Sequence, residues 1–563
     1  MNQAAGTTLA TVSQKPVPLR ERLRRPETLL LVMLIAAATI ARVAVIARIP
    51  HFFGPGDPGV YYMMARGVLQ TGLPLLDFVH HHLTVQEQFP FIADYYEAVF
   101  AYLLALVMLV GGQTVTAAKS LSLLAGVATI ALVFACGRRF GSGAALLAAA
   151  MVAVEPWSIY YSGLIMKEAL VSLLVLAFLW RFTLELGREE ASGWRWAAWG
   201  AGLVALSMVQ YELLPILGIG CGAALVLRRR EAVLSFAAAV VAMGGLLTAL
   251  SWMTVGVPLS AKLYFFTGAN YFNPLPPESA PDPGFMRYLP LRYIAVSMVQ
   301  NWYLPLLALA IGGGLAVYRH SIFPLVALCF GVSFLYFHGV AVDLYSRDFI
   351  TLTVVLAPLF GIGIVHCARR ESRAWRGLFW GLVAWAAFVT AFAGFSLALK
   401  AAVLLALVVL IALDLLRPRL RRGTALALLA ISFAAIFHAQ LPYHRIYENA
   451  QFPDYADRLA RQRAAAEWLR DEGATGPIMA PVPGEVTLFT GLRAVRLPAE
   501  VTSRQVGAAL ARYDASHLLI PENQVPPDLE SALGLERLDH RHGFVTLQPA
   551  GGLPTAEVSA RRR

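Results

Sequence analysis

Residues 28–47 read TLLLVMLIAAATIARVAVIA, a run with a single charged residue, Arg42. As a helix, this run would rise about 30 Å, which matches the thickness of the hydrocarbon core of a bilayer. Runs of the same kind recur along the chain, for example at 375–397. Apolar residues make up 58% of the 563 positions and charged residues 14%, against about 25% charged residues in soluble domains. The sequence therefore predicts a polytopic α-helical membrane protein and excludes an ordinary soluble enzyme.

The basic residues cluster between the apolar runs. The net charge is +11, yet basic and acidic residues nearly balance from 442 onward, so the excess belongs to the membrane part. Lysine and arginine in short loops mark the cytoplasmic side of a membrane protein. The charge therefore indicates orientation in a membrane, and we expect no nucleic acid partner. The basic clusters lie at 15–25, 138–139, 181–195, 228–230, 319, 369–376 and 417–422.

One arrangement of spans places every basic cluster on the cytoplasmic side, and it takes about thirteen crossings. The predicted spans are 29–48, 117–137, 143–161, 163–184, 196–211, 212–227, 233–254, 296–318, 321–338, 349–367, 375–397, 401–416 and 424–440. This odd number leaves the N-terminal segment 1–28 in the cytoplasm and the chain after 442 outside. We therefore predict an integral plasma membrane protein, as in a bacterial inner membrane, with membrane lipids around it.

The same arrangement requires that the short apolar segment 97–110 does not cross the membrane. At about 1.5 Å per residue this segment reaches only some 21 Å as a helix, which is short for a span. An interfacial helix at the outer surface is the favoured interpretation. A crossing helix remains the alternative.

The chain divides into a transmembrane domain, 29–441, and a C-terminal domain, 442–563. Two long outer loops, 50–116 and 255–295, interrupt the membrane part. The C-terminal domain alternates helical patterns with short apolar runs that are typical of strands, which predicts a small extracytoplasmic α/β domain. The helical patterns are 454–472 and 502–513, and the apolar runs are 477–480, 517–520 and 544–547.

The first outer loop opens with an acidic motif, Gly54-Pro55-Gly56-Asp57-Pro58-Gly59-Val60-Tyr61-Tyr62. Two prolines stiffen the turn and hold the aspartate just beyond a membrane helix, at the level of the lipid headgroups. A carboxylate in this place suits a general base. The alternative is an Asx turn that caps a helix beginning near Val60.

A second polar motif follows the third predicted span. It contains Glu155-Pro156-Trp157-Ser158-Ile159-Tyr160-Tyr161-Ser162 and then Lys167-Glu168. Glu168 is predicted to begin a helix that runs back into the membrane from the level of Asp57. Two carboxylates at one surface can divide the work, one as a base and one to position the acceptor or a metal. Alternatively, Glu168 only benefits from the dipole at a helix start.

Basic residues on the outer side are scarce under the positive-inside rule, so each one needs a functional or structural reason. Arg347, which follows Tyr345, is the preferred phosphate ligand because a guanidinium can bind phosphate with two parallel hydrogen bonds. A salt bridge to Asp343 or Asp348 is the alternative. For several of the others the alternative is contact with lipid headgroups. The further candidates for binding substrate or phosphate are Arg66, Lys167, Lys262, Arg287 and Arg292.

In their order and topology these motifs resemble the GT-C superfamily of membrane glycosyltransferases. The similarity is to glycosyltransferase family 39 relatives, such as protein O-mannosyltransferases and the lipid A aminoarabinose transferase. The run from Asp57 to Tyr62 is similar to their acidic loop element, and the segment 155–168 is similar to their later Pro/Ser segment before a second acidic residue. Tyr345-Ser346-Arg347 resembles their late Tyr/Arg loop. The chain departs from the pattern at Gly59, where many relatives have a second acidic or bulky residue, and at Lys119, where an arginine is usual.

The resemblance implies an inverting transferase that moves a sugar from a polyprenyl-phosphate donor to an extracytoplasmic lipid, glycan or protein. In that case Asp57 would act as the base, with Glu168 as the second carboxylate. Arg347 would bind the donor phosphate, and the aromatic residues Tyr61, Tyr62 and Tyr345 would line the same site.

Two other classes of function remain open. A transporter of lipid-linked saccharides would place its ionisable groups near the bilayer midplane, often in paired halves, whereas here they cluster at one surface. A non-catalytic assembly partner in glycan synthesis would work normally without Asp57.

No cofactor is certain from the sequence. His80-His81-His82 with Glu87 offers a divalent cation site, but three adjacent histidines do not place three ligands on one face. A solvated loop is therefore the preferred interpretation of this segment, and a divalent cation stays a possibility.

Overall fold

The structure is a computed structural model, and the description below is confined to the residues that it describes. These are residues 26–48, 57–79, 89–92, 97–188, 192–255, 303–340, 349–370, 372–392, 396–416, 423–432, 453–498, 501–541 and 543–550.

The membrane part is built from helices. They are α1 (Pro26–Arg48), α2 (Asp57–Thr71), α3 (Ala98–Gly111), α4 (Val115–Gly137), α5 (Ser142–Val154), α6 (Pro156–Ser162), α7 (Glu168–Leu186), α8 (Gly193–Ser207), α9 (Leu213–Arg228), α10 (Val233–Val255), α11 (Tyr303–Val317), α12 (Phe323–Val340), α13 (Phe349–Arg369), α14 (Arg373–Phe392), α15 (Leu397–Leu416) and α16 (Gly423–Ser432).

Every predicted span overlaps one of these helices. Within the described ranges, seven helices are long and apolar enough to cross a membrane, and the bent pair α5–α6 would make an eighth. Others, such as α8 with 15 residues and α9 with 16, fall short of that length. The chain is thus an integral membrane protein, while the number of crossings and the placement of α3 at the outer surface stay predictions.

The predicted span 143–161 is not one helix. It consists of α5 and α6, which meet at 59°. Glu155 at the junction has extended backbone angles, φ −64° and ψ 120°. Pro156 explains the break, because a proline disfavours the helical conformation of the residue before it.

Arg42, the only charged residue of α1 between Glu27 and Arg48, stabilises this break. The fully buried guanidinium donates hydrogen bonds to the carbonyl oxygens of Val152 and Ala153, both at 3.3 Å, and to Ser158 Oγ at 3.0 Å. The two carbonyls belong to the last turn of α5, where helical hydrogen bonds are lacking. The Ser158 amide N–H in turn donates to the Glu155 carboxylate. Arg42 and Glu155 are therefore linked through Ser158, and Arg42 has a structural role.

The C-terminal part combines helices with a six-stranded sheet. The helices are α17 (Pro453–Asp471), α18 (Pro483–Thr490), α19 (Ser503–Tyr513) and α20 (Leu529–Leu533). The strands are β1 (Leu75–Leu76), β2 (Phe78–Val79), β3 (Phe91–Ile92), β4 (Ile478–Ala480), β5 (Ala494–Arg496), β6 (His517–Pro521), β7 (Leu535–Arg541) and β8 (Phe544–Pro549). The strand order is β2-β5-β4-β6-β8-β7, parallel from β2 to β6 and antiparallel beyond, while β1 and β3 form a separate pair.

The first outer loop supplies the edge strand β2 of this sheet. Phe78 and Val79 pair with Ala494 and Val495 of β5. Successive residues of a strand point to opposite faces. Val79 accordingly belongs to the core beneath α19, whereas Phe78 belongs to the core that continues into the helices and contacts Gly484 of α18. The acidic loop and the C-terminal part are therefore joined in one sheet.

The helix bundle has two chemically different ends. Helix α7 has 19 residues and so extends about 28 Å, close to the thickness of a hydrocarbon core. It begins at Glu168 and ends beside Glu185, which pairs with Arg188 at 2.8 Å and with Arg195 at 3.4 Å. Near its start, Ser172 Oγ lies 3.0 Å from Thr351 Oγ1 of α13, so both helices begin at the same end.

We call the end at which α7 begins the carboxylate end, since Glu168 lies there. We call the opposite end the arginine end. Arg229 donates a hydrogen bond to the carbonyl oxygen of Arg188, which joins two predicted cytoplasmic clusters at the arginine end. Arg370, in a third basic cluster, follows the last residue of α13 and lies at that end too. These three clusters thus lie at one end of the bundle, as the positive-inside argument requires.

Candidate active site

Asp57 is the first residue of α2, three positions before the expected helix start. The dipole of a helix favours a carboxylate in its first turn. The side chain of Asp57 is half-buried, while the residues from Pro58 to Ala65 are buried. The acidic group therefore lies at the accessible start of a helix whose body is fixed in the core.

A buried cluster holds α2 in place, and we call it the Glu97 cluster. Tyr61 Oη donates a hydrogen bond of 2.9 Å to Glu97 Oε2, and Lys167 Nζ donates one of 2.6 Å to Glu97 Oε1. Glu97 has no exposed surface, and Lys167 is buried as well. The three residues come from α2, from the position before α3 and from the position before α7, so the cluster joins three segments.

Burial makes this cluster sensitive to change. Removing a charge from water costs several kcal/mol, which only close partners and hydrogen bonds offset. Here both carboxylate oxygens of Glu97 accept hydrogen bonds. Tyr61 follows Asp57 by four positions on α2, and residues at this spacing share a helix face. The hydrogen bond to Glu97 therefore fixes the face of α2 that carries Asp57.

Glu168 begins α7, as the sequence predicts, and is buried there. The preceding segment is held by Ser122 of α4, whose hydroxyl donates to the Met166 carbonyl oxygen at 2.7 Å and accepts from its amide at 3.3 Å. Lys119 lies one turn before Ser122 on α4 and is also buried. Residues three apart on a helix are neighbours, so a second buried lysine lies on the side of α4 that faces this segment.

Tyr62 attaches α2 to the connection between α3 and α4. Its hydroxyl donates a hydrogen bond of 2.8 Å to the carbonyl oxygen of Gln113. Burial raises the pKa of Tyr62, and the charge of Arg66 opposes this rise. Tyr62 is therefore a neutral donor in an internal contact, and its predicted contact with substrate stays a prediction, as do those of Tyr61, Arg66 and Lys167.

Several predicted site residues lie outside the described residues. They are Lys262, Arg287, Arg292, Tyr345 and Arg347, together with His80, His81, His82 and Glu87 of the possible metal site. In the part of the chain that the structure describes, no group of three or more His, Cys, Asp or Glu side chains could hold a metal ion.

Sequence reasoning missed Glu97. In the sequence this residue only begins the apolar segment 97–110, although an acidic residue directly before an apolar helix is a signal that a cationic partner lies nearby. The partner, Lys167, was singled out only because basic residues are scarce on the outer side. The structure brings the two together with Tyr61 and next to Glu168.

Comparison with known proteins supports this architecture. Residues 98–254 match the family model described as dolichyl-phosphate-mannose-protein mannosyltransferase. The matched segment begins directly after Glu97 and includes Lys167 and Glu168. None of the curated proteins matches the chain significantly.

Two solved structures are similar over almost their full length. The crystal structure of ArnT from Cupriavidus metallidurans bound to undecaprenyl phosphate has a TM-score of 0.57 at 14% identity, covering 92% of this chain and 97% of that chain. Its apo state has a TM-score of 0.51 at 13% identity with the same coverage. The resemblance seen in the sequence is confirmed, and the chain has the GT-C fold of membrane glycosyltransferases.

Proposed function

We propose that this protein is an inverting glycosyltransferase that moves a sugar from a polyprenyl-phosphate donor to an acceptor outside the cytoplasm. The GT-C fold supports this class of function, as does the mannosyltransferase family model over 98–254. The similar ArnT structure contains undecaprenyl phosphate, which is a polyprenyl phosphate. A donor of this kind needs both an apolar helix bundle and a polar surface at its end.

The observation that carries the proposal is the position of Asp57 at the accessible start of α2, on the helix face fixed by the Glu97 cluster. A general base must be held still and yet reach its substrate. The body of α2 is buried and hydrogen-bonded, while its first residue is half-exposed. The arrangement meets both requirements.

In the proposed reaction, an acceptor hydroxyl attacks the anomeric carbon of the donor sugar. The proton of that hydroxyl passes to the Asp57 carboxylate while a new C–O bond forms. The bond between the anomeric carbon and the phosphate oxygen breaks on the opposite face, so the configuration inverts and polyprenyl phosphate leaves. Glu168, at the start of α7, positions the acceptor.

Cations stabilise the charge that develops on the leaving phosphate. Arg347 is the proposed principal ligand, and Tyr345 accompanies it. Lys119 is added to the proposed set, because the structure buries this lysine beside the segment that leads to Glu168. Arg66, Lys262, Arg287 and Arg292 are the remaining candidates.

The proposed orientation has the carboxylate end outside and the arginine end in the cytoplasm. Single cysteines can be introduced after replacement of the four native ones. An impermeant reagent added from outside should label positions in 255–295 and in the C-terminal part and should miss 369–376. Labelling of 369–376 from outside would show that the proposed orientation is wrong.

Product analysis separates the three classes of function. Proteoliposomes that contain the purified chain would receive a polyprenyl-phosphate sugar with a radiolabel in the sugar, together with extracts of candidate acceptors. A transferase releases free polyprenyl phosphate and labels an acceptor. A transporter moves the intact donor between leaflets without cleavage, and an assembly partner does neither. The appearance of the intact donor alone in the other leaflet would refute the proposal.

Variants of Arg347 test the phosphate site in the same assay. Arg347→Ala should weaken donor binding or turnover, and Arg347→Lys should restore it incompletely because a bidentate contact is lost. Unchanged donor affinity and turnover in Arg347→Ala would remove this residue from the site.

A further inference from the structure

A cavity of about 420 Å³ lies between α11, α12 and α13. Its wall is almost entirely apolar, and the polar side chains among its lining residues are Arg228, Tyr318 and Ser321. A volume of this size is typical of sites for small molecules. The cavity is separate from the Glu97 cluster, since none of the cluster's residues lines it.

The polar mouth of this cavity lies at the arginine end of the bundle. Arg228 is the last residue of α9 and directly precedes Arg229, which contacts the end of the segment that follows α7. From Tyr318 the cavity follows α11 back to Leu307, eleven positions away. That distance is about 16 Å along a helix, or half of a hydrocarbon core near 30 Å. The cavity is thus about one leaflet deep along α11 and continues along α13 to Leu352, while its polar mouth faces the surface opposite Asp57.

The mouth has the chemistry of an anion site. Among the described residues, no hydrogen bond or ion pair engages the exposed guanidinium of Arg228. Tyr318 Oη accepts a hydrogen bond of 2.9 Å from Arg319 Nε, so its own proton can be donated to a ligand. Arg228 and Tyr318 thus lie at the polar end of the apolar cavity, and Arg319 is hydrogen-bonded to Tyr318. Basic pockets between membrane helices on the cytoplasmic side suit anionic lipid headgroups.

We infer that this cavity binds one anionic phospholipid of the leaflet at the arginine end. Its acyl chain fills the space beside Leu315 and Val332, which are exposed on the bundle surface, and its phosphate lies at Arg228 and Tyr318. The donor lipid does not meet this description, because its phosphate must reach Asp57 at the other end, about 28 Å away along α7. The site is therefore distinct from that of the proposed transfer reaction.

The test uses the full chain in nanodiscs and two photoactivatable probes with the same diazirine-bearing acyl chain, one phosphatidylglycerol and one phosphatidylcholine. Labelled peptides are located by mass spectrometry. The anionic probe should label residues 307–335 about five-fold more than the zwitterionic probe, as expected for one surface cation near a headgroup with a net negative charge. Equal labelling by the two probes would overturn the inference.

Variants identify the headgroup contact and the acyl channel. Arg228→Gln should lower labelling by the anionic probe about five-fold. Arg230→Gln is the matched control, because Arg230 lies in the same basic cluster but does not line the cavity, and labelling should not change. Leu328→Trp replaces an exposed lining residue with a larger one and should reduce labelling by both probes.

Two further outcomes would also overturn the inference. One is labelling by the anionic probe that survives Arg228→Gln unchanged. The other is loss of the label when undecaprenyl phosphate is added at equal concentration, which would make the cavity a channel for the donor lipid. Thermal unfolding of each variant, followed in the same nanodiscs, shows that the fold is retained.

Discussion

Two buried ion pairs lie at opposite ends of the helix bundle, and they are nearly matched. At the carboxylate end, Lys167 Nζ and Glu97 Oε1 are 2.6 Å apart, with side chains 8% and 0% exposed. At the arginine end, Arg370 Nη1 and Asp414 Oδ2 are also 2.6 Å apart, with side chains 8% and 1% exposed. Distance and burial therefore do not distinguish the two pairs.

Their surroundings differ. Arg370 binds Asp414 with two parallel hydrogen bonds of 2.6 Å, Thr424 donates to the same carboxylate at 3.0 Å, and the guanidinium lies 4.8 Å from the ring centre of Phe379. These contacts join the ends of helices at the arginine end. The Glu97 pair instead includes Tyr61, one turn after Asp57. The comparison teaches that a buried ion pair does not by itself indicate an active site. The residues around the pair show whether it serves the reaction or only the fold.

The largest expected effect is at Asp57. Asn keeps the size of Asp and caps a helix about equally well but cannot accept the proton. A positioned general base contributes typically 10²–10⁴-fold, so Asp57→Asn should lower sugar transfer by roughly that factor. Donor binding and thermal unfolding serve as controls and should stay as in the wild type. Near-normal transfer would leave Asp57 with a capping role only.

Matched amide variants test whether the two ion pairs differ in their effect on sugar transfer. Glu97→Gln and Asp414→Asn each leave a buried cation without its counter-charge, and each should lower the free energy of unfolding by about 3–5 kcal/mol. Only Glu97→Gln should also lower transfer per folded molecule, by roughly 10- to 100-fold, because small shifts of a catalytic group are costly. Asp414→Asn should transfer within about two-fold of the wild type.

Unfolding curves and single-turnover transfer on the same preparations would measure both effects. If the two variants lost transfer equally, the Glu97 cluster would have no special relation to the site. If neither variant changed unfolding, the burial argument for both pairs would be wrong.

Glu485 is a buried carboxyl group that differs from both ion pairs, because it keeps its proton at neutral pH. Burial in α18 raises the pKa of Glu485 to about 8, and the charge of Arg463 only partly opposes this. The folded protein therefore holds this proton over a range in which the unfolded chain, with an ordinary glutamate pKa near 4.5, has lost it. The resulting stability is fully present below about pH 4.5 and is lost as the pH rises through about 8.

The unfolding temperature of the C-terminal part should accordingly fall between pH 6 and pH 9. Glu485→Gln, which keeps the neutral shape, should flatten this dependence, and it should unfold at a higher temperature than the wild type at pH 9, with a smaller gain at pH 6. Circular dichroism melts of both proteins across this range provide the measurement. An equally steep fall in the variant would assign the pH dependence to other groups.

Local patterns in the sequence predicted much of this fold. Hydropathy placed the membrane helices, and Glu168 was correctly predicted as a helix start. In the C-terminal part, the apolar runs 477–480, 517–520 and 544–547 overlap β4, β6 and β8. The break at Glu155 had a local signal as well, since Pro156 follows it. Because the apolar character continues across the junction, hydropathy alone predicted one uninterrupted span.

The remaining features depend on contacts between distant positions. Strand β2 has only two residues, too few for an alternating pattern, and its partner β5 lies more than 400 positions later. Glu97 and Lys167 are separated by 70 positions, and nothing near either residue indicates the other. Long-range pairing of this kind cannot be read from periodicity, which reports only on neighbours along the chain.

The central claim is that the Glu97 cluster serves the reaction by holding Asp57 in place. A double variant tests it most directly, because groups that act as a unit are not additive. If the cluster works through Asp57, adding Glu97→Gln to Asp57→Asn should change the residual transfer by no more than about two-fold. A further loss of roughly 10- to 100-fold in the double variant would show that Glu97 acts independently of Asp57, and it would contradict the account.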